Sequence, residues 1–275
     1  YHGVYILSER VDRKLLDLKK IDVPEDADGN DLWDQVDFTD PDNGSVLYKA
    51  DGNSASLYFL ETARIDFEQD YPDMDDIVYW EPLEALIDFV TNSSDEEFIA
   101  NVGSIVDIDS VVDYWLLTNV TMNRDTLKKN YFLAKSGPGK WFFVPWDYDA
   151  TFDMWWTGRI YGTTSWWDPA KNNLIRRLSE LTATGFNTRV KARWSELRAS
   201  LFSQVALTAR FTAYHAATVP VPGQVENPRE RNFIRWPESG GEGVNSPELG
   251  TVAYIDDWIG RRLAFLDQRI AGQPE

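Results

Sequence analysis

At 275 residues, 43% of them hydrophobic, the chain has the size and composition of a globular protein with a sizeable core. The absence of Cys excludes disulfides, thiol catalysis and Cys-ligated zinc; two His, His2 and His215, argue against a multi-His metal centre or a Ser-His-Asp triad; and no apolar run is long enough to span a bilayer. A formal charge of −18 disfavours nucleic-acid binding and suits divalent cations or basic partners, although most of that charge is expected to be solvated surface.

Tyr1 is not an initiator Met, and "YHGVYILSE" alternates as a strand already under way, so the chain is expected to continue a longer protein. "VDRKLLDL" predicts a short helix, and residues 21–45, rich in Asp, Gly, Pro and Asn, a long loop. "SVLYKADGNSASLYFL" predicts two strands hinged at "ADGNSA". Pro82 opens a helix running to about Val90, and "SDEE" at 94–97 is a capping box in which Ser94 receives the Glu97 N–H. Ile108, Val111, Val112, Trp115 and Leu116 recur at helical spacing and predict a buried helix over 108–121. "KNYFLAK" and "KWFFVPW" predict a hairpin turned by "SGPG", which lacks the G-K-[ST] of a phosphate-binding loop. Helical patterns follow near 172–183 and 188–210. Residues 219–250 then read as loop, and Ile255, Trp258, Ile259, Leu266 and Ile270 mark one face of a last helix. With no repeat and no boundary, residues 1–275 are expected to form a single α+β domain.

"NRDTLKKN" at 123–130 sets Arg124, Asp125 and Asn130 at the spacing of a protein-kinase catalytic loop, H-R-D-x-x-x-x-N, with Asn123 in place of the His. That loop needs a carboxylate to orient and deprotonate the acceptor hydroxyl, and oxygen ligands to hold Mg²⁺ against nucleotide phosphates. A hairpin then leads to Asp147, as it does in a kinase. Spacing alone also allows Asp125 to be a turn residue at the helix end and Asp147 a strand-end cap. "DADGND" sets Asp26, Asp28 and Asn30 at alternate positions, but its Gly29 is misplaced for a calcium loop, so an acidic turn is expected. Trp155, Trp156, Trp166 and Trp167 offer a stacking platform for sugar or peptide, or core packing for one Trp of each pair.

"FFVPWDYDATF" resembles the P-W-D-[YL]-D-x-[ST]-[FW] signature of the spore-coat CotH family of atypical protein kinases. "GVYILSERVD" is similar to that family's hinge-like segment, and "SVLYKAD" to its LYK strand, over residues 1 to about 155. The resemblance implies an α+β fold: a mostly helical, protein-kinase-like C-terminal lobe with a short β-hairpin carrying the metal motif. It implies transfer of the ATP γ-phosphate to Ser or Thr with ATP and Mg²⁺ as cofactors. Asp125 would be catalytic; Asn130, Asp147 and Asp149 would hold metal; Glu9, Asn130 and Trp146 would line the cofactor site. Glu9 would face the adenine end or cap the next helix. Asp149 would be a second ligand or a turn residue, and Asp153 replaces the family's usual Gly. The family's N-terminal lobe, with its nucleotide-binding Lys, is not recognised here, and Lys49 follows the hinge-like segment, so it is not that lysine. Implied partners are a basic, Ser/Lys/Arg-rich protein substrate, at the spore coat, in secretion or at the cell surface. The rival reading is a surface adhesion module for carbohydrate or a host ligand.

Overall fold

The computed structural model describes residues 9–123, 125–153, 162–217, 235 and 251–274. Its centre is a four-stranded antiparallel sheet of β1 (Val46–Ala50), β2 (Phe67–Tyr71), β3 (Tyr131–Lys135) and β4 (Phe142–Pro145), in the order β2-β1-β3-β4. Around it lie α1 (Glu81–Asn92), α2 (Asp95–Ile105), α3 (Ile108–Thr121), α4 (Asn173–Glu180), α5 (Phe186–Arg198), α6 (Gln204–Ala217) and α7 (Val252–Ala271). The fold is therefore α+β, with seven helices among the described residues.

The period-2 alternation of the strands gives the sheet two faces. Val46, Tyr48, Ala50, Tyr131, Leu133 and Phe143 face the main core with α1, α3 and α7, through Leu83, Trp115 and Trp258. Leu47, Phe132 and Ala134 face the opposite way and pack with Leu18, under Val11, Leu16 and Trp146. The helix over 108–121 and the 131–145 hairpin stand where the periodicity puts them. Asp107 caps α3 by accepting from the amides of Asp109 and Ser110, and Ser94 receives the Glu97 N–H at 3.2 Å.

Three expectations fail. Residues 11–18 close as turns and not as a helix: Asp12 Oδ1 accepts from the Leu15 amide, and Asp17 takes φ +50°, which sends Leu18 into the second face of the sheet. The partner of β1 is Phe67–Tyr71 and not the "SLYFL" segment. That segment is held by α4 instead: the Asn173 amide donates to Ser56 O at 2.8 Å, and Asn173 Nδ2 to Leu57 O at 3.1 Å. The pattern over 188–210 divides into α5 and α6, where the Phe202 amide returns to Leu197 O at 2.7 Å and Ser203 Oγ receives the Ala206 amide. The strand expected at 1–9 and the loop at 219–250 lie outside the described residues, save Glu9 and Arg235.

Candidate functional site

α3 ends where Met122 enters the left-handed region (φ +56°), and the chain turns away from the helix axis. The next residue, Asn123, is 1% exposed and uses both ends of its amide. Its Nδ2 donates to the Asp147 carbonyl at 3.0 Å, and its Oδ1 accepts from the Asp125 amide at 3.2 Å. One buried side chain thus ties together the two segments that carry Asp125 and Asp147. Thr126 and Leu127 anchor the turn that follows. The Thr126 hydroxyl donates to Thr118 Oγ1 at 3.3 Å, the Thr126 carbonyl accepts from the Tyr114 hydroxyl, and Leu127 O accepts from Asn172 Nδ2 at 3.0 Å. Asp125 remains half-buried at the lip, its Oδ2 2.7 Å from Lys129 Nζ.

Asn130 opens β3 with φ +59°, a conformation that Asn tolerates better than most residues. Its amide donates to Ala50 O at 2.8 Å, and its carbonyl accepts from the Trp146 amide at 3.3 Å. The Trp146 ring stands edge-on to Phe132 at 5.6 Å. Asp147 also adopts a positive φ, +56°. Between it and Asp149, the Tyr148 hydroxyl reaches Thr118 Oγ1 at 3.1 Å, which pegs the loop to α3 and leaves the two carboxylates on the exposed side. Although Asp147 is exposed, partial desolvation of its carboxyl lifts it above its ordinary value; the Asp149 charge and a hydrogen bond with Asp149 raise it further, Lys129 pulls it down, and Asp125 adds a smaller upward push. Asp125, Lys129, Asp147 and Asp149 therefore share one electrostatic neighbourhood.

Phe152 and Asp153 both lie in the left-handed region, with φ values of +52° and +74°, a conformation that residues with a Cβ rarely adopt. The buried carboxylate of Asp153 has partners: Oδ2 accepts from the Tyr254 hydroxyl at 2.7 Å and Oδ1 from the Gly162 amide at 2.5 Å. Behind the loop, the fully buried Arg262 of α7 donates from Nε to Asn119 O at the end of α3, and from Nη1 to Thr163 O and Ser165 O. Burial lowers its guanidinium to about 9, which leaves it charged at neutral pH against the negative end of the α3 dipole.

Glu9 is exposed and makes no hydrogen bond or ion pair to the site among the described residues. Asp26 spends its carboxylate on its own turn, accepting from the amides of Asp28 and Asn30. Trp167 is buried and Trp166 packs edge-on to Trp115 at 5.5 Å, so both are packing residues; Trp155 and Trp156, like Arg124, lie outside the described residues. No group of three or more His, Cys, Asp or Glu side chains is arranged as a metal cage among the described residues. Asn123 had stood out only as a departure from His, and its two-ended clamp needs Asp147, 24 residues on, to become visible.

These features define an α+β protein whose polar site joins the end of a buried helix to the end of a β-hairpin through carboxylates and one lysine. The chain belongs to the family described as CotH kinase protein, whose model matches residues 1–266. That match runs through α5 and α6 into α7, well past the segment of about 155 residues in which the motifs are readable. Among curated proteins, no match is found.

Proposed function

We propose that this protein is a kinase that transfers the γ-phosphate of ATP to a Ser or Thr hydroxyl of a basic protein, in a magnesium-dependent reaction. The observation that carries this reading is the Asn123 clamp, which fixes a half-buried carboxylate, Asp125, relative to a crowded carboxylate pair, Asp147 and Asp149. The donor set suits magnesium. The Asp149 charge that raises the proton affinity of Asp147 is relieved by a divalent cation, and the Asn130 amide oxygen would be a neutral third donor. Mg²⁺ normally takes one or two protein carboxylates and completes its shell with phosphates and water, so an all-protein cage is not required. When bound, the ion would neutralise phosphate charge.

Asp125 would orient the acceptor hydroxyl and take its proton as the hydroxyl oxygen bonds to phosphorus and the bond to the ADP oxygen breaks. Trp146, half-buried beside Asn130, offers a stacking face to adenine. The acidic surface suits a Lys/Arg-rich substrate of the spore coat or cell surface. Of the described tryptophans that the carbohydrate reading would use, Trp167 is buried and Trp166 is partly buried against the core.

The test is transfer of label from γ-labelled ATP to a basic, Ser-rich peptide by the full-length protein. Transfer should require Mg²⁺ and vanish in Asp125→Ala. Labelling that persists in that variant would remove Asp125 from the chemistry.

A further inference from the structure

The loop that carries Asp147 and Asp149 is closed on the end of α3 at both of its ends. At the near end Asn123 Nδ2 holds the Asp147 carbonyl at 3.0 Å, and at the far end the Phe152 amide donates to Thr121 O at 2.7 Å. Between them, the Thr151 hydroxyl donates to Tyr148 O at 2.9 Å. The far end is the strained one, because Phe152 and Asp153 are consecutive residues with side chains in the left-handed region. Such a pair persists only where its surroundings over-determine it. Here the surroundings are α6 and α7. The Phe152 ring lies 4.8 Å from that of Phe211 and 5.5 Å from that of Trp258, and the Asp153 carboxylate, 3% exposed, accepts from the Tyr254 hydroxyl at 2.7 Å. Burial, and then the bond with Asp153, push that hydroxyl up to about 12, so Tyr254 is the donor at neutral pH.

We propose that Tyr254 is a positioning residue for the metal-binding carboxylates: through Asp153 it holds the far end of the loop in the left-handed conformation that keeps Asp149 beside Asp147. The inference rests on the metal-binding reading of the site given above. A glycine at position 153 would take this backbone conformation unaided. An aspartate takes it at a cost, which a held carboxylate offsets. The hydroxyl of Tyr254 and the amide of Gly162 do that holding, and Tyr254 brings it from α7, a hundred residues further along the chain. Without the hydroxyl, Asp153 is freer to leave the left-handed region, and the turn back to Asp149 is only three residues long. Tyr254 therefore touches neither metal nor substrate and acts on the site only by way of Asp153.

The experiment is titration of the full-length protein with Mn²⁺ alone, an ion that carboxylate and amide oxygens also suit, with free Mn²⁺ measured by its electron paramagnetic resonance signal. Tyr254→Phe keeps the ring and removes only the hydroxyl, and it should weaken Mn²⁺ binding ~3- to 10-fold, the worth of one hydrogen bond. Adding Asp153→Gly to it should restore most of the wild-type affinity, because glycine needs no partner at this φ. Ser94→Ala, which removes the cap of α2, should lower the melting temperature by a similar amount and leave Mn²⁺ affinity unchanged. Wild-type protein that binds Mn²⁺ while Tyr254→Phe binds it equally well overturns the positioning role and leaves the metal reading standing. So does a double variant that recovers nothing, or a Ser94→Ala variant that weakens binding as much. Wild-type protein that binds no Mn²⁺ overturns both.

Discussion

Replacing Asn123 with Ala removes a buried side chain that is bonded directly to the backbone of both Asp125 and Asp147. Two hydrogen bonds disappear, at 3.0 and 3.2 Å. Each contributes about 1 kcal/mol net, and because Asp147 is exposed and Asp125 only half-buried, water can satisfy the groups left behind. The expected loss is therefore about 2 kcal/mol, near the low end for a buried polar deletion, or a fall of roughly 4–8 °C in melting temperature. Asn123→Asp should be worse despite its matching shape. It keeps an acceptor for the Asp125 amide, but it turns a carboxylate oxygen toward the Asp147 carbonyl and adds a further negative charge to the site. Differential scanning calorimetry with and without Mg²⁺ separates the contributions. Both variants should melt earlier, and both should lose most of the shift that metal and nucleotide confer on the wild type. If Asn123→Ala melts like the wild type and responds equally to metal, the clamp does not hold the site together.

Asp125→Ala should abolish transfer and cost only about 0.5 kcal/mol of stability, because the lost ion pair is half-exposed; urea unfolding checks the second half of that statement. Divalent-metal affinity should fall on acidification through the raised Asp147 pKa, at a higher pH than an ordinary carboxylate would give, and Asp149→Asn should shift that midpoint downward by removing the second-largest cause. The metal-free fold has the opposite sign: its Asp147 contribution is full below 3.8, the unfolded value, and is lost as pH rises through the folded one. Asp147→Asn should therefore be neutral to stabilising without metal at pH 7, as thermal melts at two pH values will show. Arg262→Met should cost about 3 kcal/mol, or roughly 6–12 °C, because carbonyls of Asn119, Thr163 and Ser165 lose their donor together; Arg262→Lys should recover part of it.

The elements that were legible in the sequence are those whose cause is local. α3 carries its period in five apolar residues and its cap in Asp107, and the β3–β4 hairpin carries its turn in "SGPG". The segment at 55–60 reads as a strand for the same local reasons. Its position is decided by Asn173, however, a residue more than a hundred positions away that takes Ser56 O and Leu57 O, and no window contains that contact. The turn at 11–18 fails because its apolar residues serve the second sheet face, which a helical period cannot distinguish from a helix stripe. At the candidate site, spacing pointed to Asp125, Asn130 and Asp147, and the family resemblance added Asp149. The side chains that hold the surrounding backbone, Asn123 and Tyr148 at the site and Tyr254 and Arg262 behind it, are polar or aromatic residues with partners in other elements. Arg262 in particular reads as one more charge on α7, where Trp258 and Leu266 set the visible stripe, yet it is fully buried.

The most direct measurement of the central claim is the metal dependence of γ-phosphate transfer by the full-length protein, compared among the wild type, Asp125→Ala and Asp147→Asn. Labelled Ser or Thr is expected in the wild type with Mg²⁺, none with chelator, none in Asp125→Ala with nucleotide binding retained, and loss of both binding and transfer in Asp147→Asn. Magnesium-independent labelling, or full activity in either variant, would contradict it.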